Sequence, residues 1–316
     1  MAPAMTRTEA YLALNLLPQV GPVRVAKLLD AFGSPEKILA AKTTELARVD
    51  GIGRAHAEAI ADWENQIDLA GEQAKIRERE LTLLTREDAL YPPLLDKTHS
   101  APFLLYVWGN LTPRDHHAIG IVGSRNFTPY GREAAKKLSF QIAYAGYTVV
   151  SGLARGIDTV AHESALAAKG RTVAVIGSGI GQLYPPENMA LAERIASNGA
   201  VVSEYPVDRL ADKQTFPYRN RIVAGWSCGL LVVEAPARSG SLITAQQAIE
   251  QGRTVFAVPG PINKPTSTGC NRLIQQGAKL VIDGNDILDD LMTLFPTAPQ
   301  APKIEQSAPQ ATLTLE

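Results

Sequence analysis

Cysteine is nearly missing from this 316-residue chain. Cys228 and Cys270 are the two present, without CxxC spacing and without neighbouring histidines. That excludes a zinc ribbon and a disulfide framework, and it fits a reducing cytoplasm. Net charge is nearly missing too: 31 basic and 32 acidic residues leave a formal −1. A nucleic-acid or phosphate site must therefore be a local patch, not a global field. No apolar run reaches the roughly 18 residues of a membrane span. The N-terminus lacks a basic segment followed by an apolar core, so secretion is not expected. The chain has no G-x-x-x-x-G-K-[ST] and no G-x-S-x-G, which argues against a P-loop ATPase and a hydrolase elbow. His56, His99, His116, His117 and His162 are the five histidines, and none has metal-ligand spacing. No metal and no cofactor is expected. His162 alone is a catalytic candidate; otherwise it is a helix residue packing against a glycine-rich turn.

What is present is ordinary for a soluble protein with a real core: 45% hydrophobic and 20% charged residues, in a chain long enough for two domains. Residues 1–80 read as helices, with apolar residues three and four apart in "EAYLALNLL" and "PVRVAKLLDAF". Pro22 suits a first helical position. "VDGIGRAHAEAI" has the form of a helix-hairpin-helix, whose Gly51 and Gly53 let the backbone approach a phosphate or simply make a tight turn. Residues 81–117 read as a connector with one strand, "PFLLYVWGN". From Ala118 short apolar runs alternate with helical stretches. "AIGIVG", "YTVVSG", "TVAVIG", "AVVSE", "GLLVVEA", "TVFAVPG" and "KLVID" read as buried strands without polar alternation. That pattern predicts an α/β domain over 118–295, a doubly wound, mostly parallel sheet covered on both faces. Residues 296–316, rich in Pro, Ala and Gln, read as a disordered tail.

In such a fold ligands bind outside the carboxyl ends of the strands. The segments that follow the strands carry Ser124 and Arg125, Gly152 and Arg155, Lys213, Phe216, Arg219, Asn220 and Arg221, Arg238 and Ser239, and Lys264. Glycine, serine and cations on one rim of a near-neutral chain suit an anion. Any one arginine there is as readily a solvated residue or an ion-pair partner. Glu204, Glu234 and Asp158 share the rim and would orient the arginines. "GSGIG" at 177–181 is too short to be a dinucleotide fingerprint. "TFPYRNRIVAG" (215–225) puts rings and arginines together just before a helix. Unpaired bases stack on rings while a basic groove follows the backbone, so the stretch favours a single strand over a duplex. Alternatively, Phe216 and Tyr218 face the core and the arginines act alone.

These motifs closely resemble the DNA-processing protein A (DprA, or Smf) family of bacteria. The matching segments are "IVGSRNFTPYG", "SGLARGIDTVAH", "VAVIGSGIGQLYPPEN", "SEYP", "FPYRNRIVAG", "VVEAPARSGSLITA", "FAVPGPI" and "STGCNRLIQQGA", in order across 118–283. The resemblance implies an extended Rossmann-like fold behind a small SAM-like helical domain. It also implies a non-enzymatic protein that binds and protects incoming single-stranded DNA and helps load the RecA recombinase in natural transformation. Ser124, Arg125 and the turn at Gly152 would hold phosphates, and Lys213 and Phe216 would grip the strand. A homodimer would pair around 270–282, through Leu273, Ile274, Leu280 and Ile282. Many members continue into a winged-helix domain, whose functions are not carried over here. The same fold also resembles nucleoside-monophosphate phosphoribohydrolases, which show P-G-G-x-G-T-x-x-E. Here that place reads "PARSGSLITAQQAIE", without the double glycine and with Glu250 too far along. A protein-interaction adaptor is the third reading.

Overall fold

The computed structural model describes residues 5–294; the tail at 296–316 lies outside them. Nine strands form one sheet: β1 (Thr82–Thr85), β2 (Leu104–Gly109), β3 (Ala118–Val122), β4 (Thr148–Ser151), β5 (Thr172–Val175), β6 (Ala200–Ser203), β7 (Gly229–Val232), β8 (Thr254–Ala257) and β9 (Lys279–Leu280). Their spatial order is β1-β2-β6-β5-β4-β3-β7-β8-β9. All neighbours from β6 to β9 run parallel, whereas β1–β2 and β2–β6 are antiparallel. The segment expected to be a one-strand connector thus holds two strands and joins the main sheet. "TLLT" supplies the extra one, with Leu83 opposite Tyr106 in register.

Period-two alternation splits the strand side chains between two faces, and both are apolar because helices cover both. Ile119, Ile121, Val149 and Leu231 meet helices Pro129–Tyr144 and Ile157–Ala167 on one face. Val122, Val150, Val175 and Val232 meet helices Thr215–Trp226, Gly240–Glu250 and Thr268–Gln275 on the other. Seven helices lie between Arg7 and Glu78, among the described residues. Their core includes Leu12, Leu28, Ile38 and Ile60, and it continues into Leu104 and Tyr106 of β2. The first of them starts in a capping box, in which the Glu9 amide donates to Thr6 Oγ1 (3.3 Å) and the Thr6 amide to Glu9 Oε2 (2.7 Å). Pro22 opens helix Pro22–Phe32, as its missing N–H permits. Gly51 has φ +80° and Gly53 precedes helix Arg54–Ala61, the turn that a hairpin of this kind requires.

The sheet order reverses beside β3: the chain winds outward through β4, β5 and β6 on one side and through β7, β8 and β9 on the other. A crevice opens at such a switch point, beyond the carboxyl ends of β3 and β7. At the far edge, the four residues expected at a dimer interface divide. Leu273 is buried in the core and Ile274 packs against it, so these two serve the protomer's own interior. Leu280 and Ile282 are 48% and 69% exposed beside the edge strand β9.

Candidate nucleic-acid interface

The segment "TFPYRNRIVAGW" is not a loop before a helix: helix Thr215–Trp226 begins at its first residue. Asp212 starts it early, because its Oδ1 accepts the Gln214 amide (2.7 Å) and the Thr215 amide (3.0 Å). Pro217 is tolerated because first-turn amides have no intrahelical acceptor to lose. Helical spacing then puts residues three and four apart on the same side. Lys213, Phe216, Pro217 and Asn220 line the switch-point crevice, while Gln214, Tyr218 and Arg221 line a groove towards the N-terminal helices.

Between Phe216 and Arg221 the two arginines are buried, whereas the rings of Phe216 and Tyr218 are the more accessible side chains. Arg219 is 4% exposed and donates from Nη1 to the Val175 carbonyl at the end of β5 (2.5 Å). Burial lowers its pKa, opposed by the nearby Asp158 carboxylate. Arg221 lies inside as well, with Nη2 donating to both oxygens of Glu204 (2.6 and 2.5 Å). It does not line the crevice, and neither do Gly152 and Arg155, which line a small adjoining hollow with Arg125, Tyr184 and Phe216. Phe216 is half-buried at the crevice wall, and Tyr218 is 61% exposed.

The crevice has a volume of about 520 Å³. Arg125, Lys213 and Arg238 stand exposed around it, and none makes an ion pair among the described residues. The Arg125 guanidinium lies 5.4 Å from the Phe216 ring centroid, a cation–π distance. Ser239 caps helix Gly240–Glu250, accepting the Ser241 amide (3.3 Å), so the positive end of that helix also faces the crevice. Ser124 holds its own turn: its hydroxyl donates to the Asn126 carbonyl (2.7 Å) and accepts the Asn126 amide (3.1 Å). The Gly152 amide is likewise engaged, donating to Asp158 Oδ2 (3.1 Å). A side chain at Gly152 would overlap the Arg219 guanidinium, which explains the glycine. Asp158 and Glu204 orient arginines and loop amides, and burial pushes the pKa of both carboxyls up. Glu234 anchors the far wall by accepting the Thr128 amide (2.9 Å).

One contributor was missed in the sequence. Tyr184 lies 5.7 Å from Phe216, ring to ring, and the Arg155 guanidinium lies 5.7 Å from Tyr184. The result is a row of cation, ring, ring and cation: Arg125, Phe216, Tyr184 and Arg155. Arg155 is also paired with Glu187, so its charge is partly answered. "GQLYPPEN" carries no local signal for this, because the row exists only once β5, β6 and helix Thr215–Trp226 have packed. Lys264 lies outside the crevice lining. The glycines of "GSGIG" serve close packing, since a side chain at Gly179 would strike the Pro206 and Val207 carbonyls. His162 is sealed in the core with Nδ1 2.6 Å from Thr172 Oγ1, and burial pushes its pKa down to about 3. Glu250 closes the helix whose start lines the crevice, about 15 Å away along its axis.

Three kinds of likeness bear on this geometry. The family model described as DNA recombination-mediator protein A matches residues 82–292, and a SAM-like helix-hairpin-helix tandem matches 11–62. Protein Smf of Synechocystis is 39% identical over 288 residues, covering 90% of this chain and 72% of that protein. DNA processing protein DprA of Bacillus subtilis is 42% identical over 219 residues, covering 69% of this chain and 74% of its own length. The X-ray structure of DprA from Streptococcus pneumoniae superposes with a TM-score of 0.79 at 35% identity, covering 90% of this chain and 98% of that one. DNA processing protein A of Helicobacter pylori, studied for its single-stranded DNA binding mode, superposes with a TM-score of 0.60 at 28% identity, covering 69% and 97%. With the sheet order, the helical N-terminal unit and these matches in agreement, the chain belongs to the DNA recombination-mediator protein A (DprA/Smf) family.

Proposed function

We propose that this protein binds single-stranded DNA, without enzymatic turnover, in the crevice beyond β3 and β7. The observation that carries the reading is the joining of an accessible ring, Phe216, to three cations, Arg125, Lys213 and Arg238, that make no ion pair among the described residues. A ring stacks any unpaired base, and cations around it follow the phosphates. A duplex hides its base faces from such a recessed wall. Within this assignment Arg219, Arg221, Ser124 and Gly152 build the site, while Arg125, Arg155, Lys213, Phe216, Asn220, Arg238 and Ser239 meet the strand. Family membership supports the wider role of guarding incoming strands and helping to load RecA in recombination. It also supports a homodimer, for which the exposed edge at β9 with Leu280 and Ile282 is the available surface. The test is a competition between single- and double-stranded oligonucleotides over a salt series. Preference for the single strand at every salt is expected; equal affinity for both at moderate salt refutes the reading.

A further inference from the structure

Helix Thr215–Trp226 has a second lined face. Gln214, Tyr218 and Arg221, spaced four and three residues apart, line a groove of about 570 Å³ between the loop after the first helix and the segment after β6. Tyr205 and Asn15 line it as well. It adjoins a smaller hollow of about 340 Å³, which shares Arg24, Tyr218 and Arg221 and reaches Gly51 of the hairpin. The exposed Tyr218 ring thus stands where the two spaces meet.

Three buried donors in this groove, Arg24 Nε and Arg221 Nε and Nη1, have no hydrogen-bond partner among the described residues. The Arg221 side chain is 8% exposed, yet its Nε and Nη1 have no hydrogen-bond partner among the described residues, because Glu204 takes both of its bonds from Nη2. Glu204 also cancels the arginine's charge, so the spare N–H groups suit a neutral acceptor such as a base carbonyl better than a phosphate. Arg24 supplies the positive charge: it makes no ion pair among the described residues, and its Nη1 donates to the Gln19 carbonyl (2.9 Å). Lys27 and Arg209 beside it are each held by an aspartate, Asp50 and Asp212. A stacking ring, buried donors and one free cation match a nucleotide of a single strand rather than a run of phosphates.

We propose that this interdomain groove is a second subsite for the strand held in the crevice, the chain crossing the start of helix Thr215–Trp226 from Phe216 to Tyr218. The inference rests on the crevice binding single-stranded DNA. Its consequence is a length threshold: a short oligonucleotide fills the crevice alone, and a longer one engages both faces of the helix.

The experiment compares oligothymidylates of about 4 and about 16 nucleotides, the span of site sizes for a single small binding fold. Fluorescence anisotropy is read on the full chain and on Tyr218→Ala, Arg24→Ala and Phe216→Ala. Tyr218→Ala is expected to leave the short oligonucleotide unchanged and to weaken the long one roughly 5- to 150-fold, the size of one stacked base. Arg24→Ala is expected to flatten the salt dependence of the long one alone. Equal losses at both lengths would place Tyr218 in the crevice and overturn the second subsite. No loss at either length, or lost recombinase loading with both affinities intact, overturns it too, the latter in favour of a protein partner. If Phe216→Ala changes neither length, the crevice reading itself fails, a result that Tyr218→Ala cannot mimic.

Discussion

Removing the Phe216 ring and removing the Arg125 charge should have different physical signatures. A phosphate contact contributes through counterion release, so its loss makes the slope of log affinity against log salt shallower by about 0.7 for a single strand. Between roughly 50 and 200 mM salt, a fourfold span, the gap between wild type and Arg125→Ala should narrow about 2.6-fold. Lys213→Ala should behave in the same way. Phe216→Ala loses stacking, worth about 1–3 kcal/mol, and should keep a constant gap across the whole series. The structure also bounds the stability cost. Phe216 is half-buried over Gly177, and its ring–cation and ring–ring contacts are with the Arg125 guanidinium and the Tyr184 ring. Those contacts are worth about 0.5–1 and 0.5–1.5 kcal/mol, which is roughly 2–10 °C of melting temperature for a domain of this size. Because Arg125 lies over the ring, the double variant should lose less than the two single losses added together. Anisotropy titrations and thermal melts read all of these quantities. A slope change for Phe216→Ala with none for Arg125→Ala would reverse the roles and refute the reasoning. A melting loss far beyond 10 °C would move the ring from the site to the core.

Arg221→Met should destabilise the fold by about 3–5 kcal/mol in urea denaturation, since it strands the Glu204 carboxylate in the interior. Arg221→Met combined with Glu204→Leu should recover most of that loss; no recovery would count against a buried pair at this place. Gly152→Ala forces a methyl into the Arg219 guanidinium, so it should weaken strand binding and lower the melting temperature although no charge is removed. Unchanged binding would mean that Arg219 does not shape the crevice. Burial keeps His162 neutral with a pKa pushed down to about 3, while an unfolded histidine titrates near 6.5. The unfolded state binds the extra proton first, so this contribution is complete above about pH 6.5 and fades as pH falls towards 3. His162→Gln should flatten that acid loss in melts between about pH 4 and 7, and an unaltered slope would assign it elsewhere. Asp158 and Glu204, both pushed up by burial, act with the opposite sign, since protonation relieves them.

The architecture was legible because parallel strands covered on both faces leave a plain trace: apolar runs such as "TVAVI" and "GLLVV" at regular spacing with helices between. β1 was not legible. "TLLT" is short and half-exposed, and it becomes a strand by pairing with β2. Reading candidates off the ends of strands placed Arg125, Lys213, Phe216 and Arg238 on one rim, and the crevice brings these four together. Arg221 lies instead in the interior, paired with Glu204; a charged residue beside rings reads as surface unless its partner is known. That partner, Glu204, lies 17 residues away on the far side of a turn. The acceptor for Arg219, the Val175 carbonyl, lies 44 residues away. Tyr184 gave no warning for the same reason, since its neighbours Phe216 and Arg155 arrive from two other elements.

The grouping of rings and arginines at the start of one helix then has a mechanical explanation. A helix end that presents Phe216 and Tyr218 to solvent has little apolar surface there with which to anchor itself. Arg219 and Arg221 anchor it from within, one on the backbone of β5 and the other on the carboxylate that follows β6. Both anchors are directional, so they fix rotation about the helix axis as well as position. That rotation decides which ring faces which hollow: a turn of about 100°, one residue of helix, would send Phe216 out of the crevice. Lysine in place of Arg219 would keep the charge but lose the planar fork. Arg219→Lys should therefore keep the salt slope and lose the stacking part of the affinity, as Phe216→Ala does. If the charge-removing Arg219→Met flattens the slope by about 0.7 while Arg219→Lys leaves it unchanged, the guanidinium's charge meets a phosphate directly and its anchoring role is refuted.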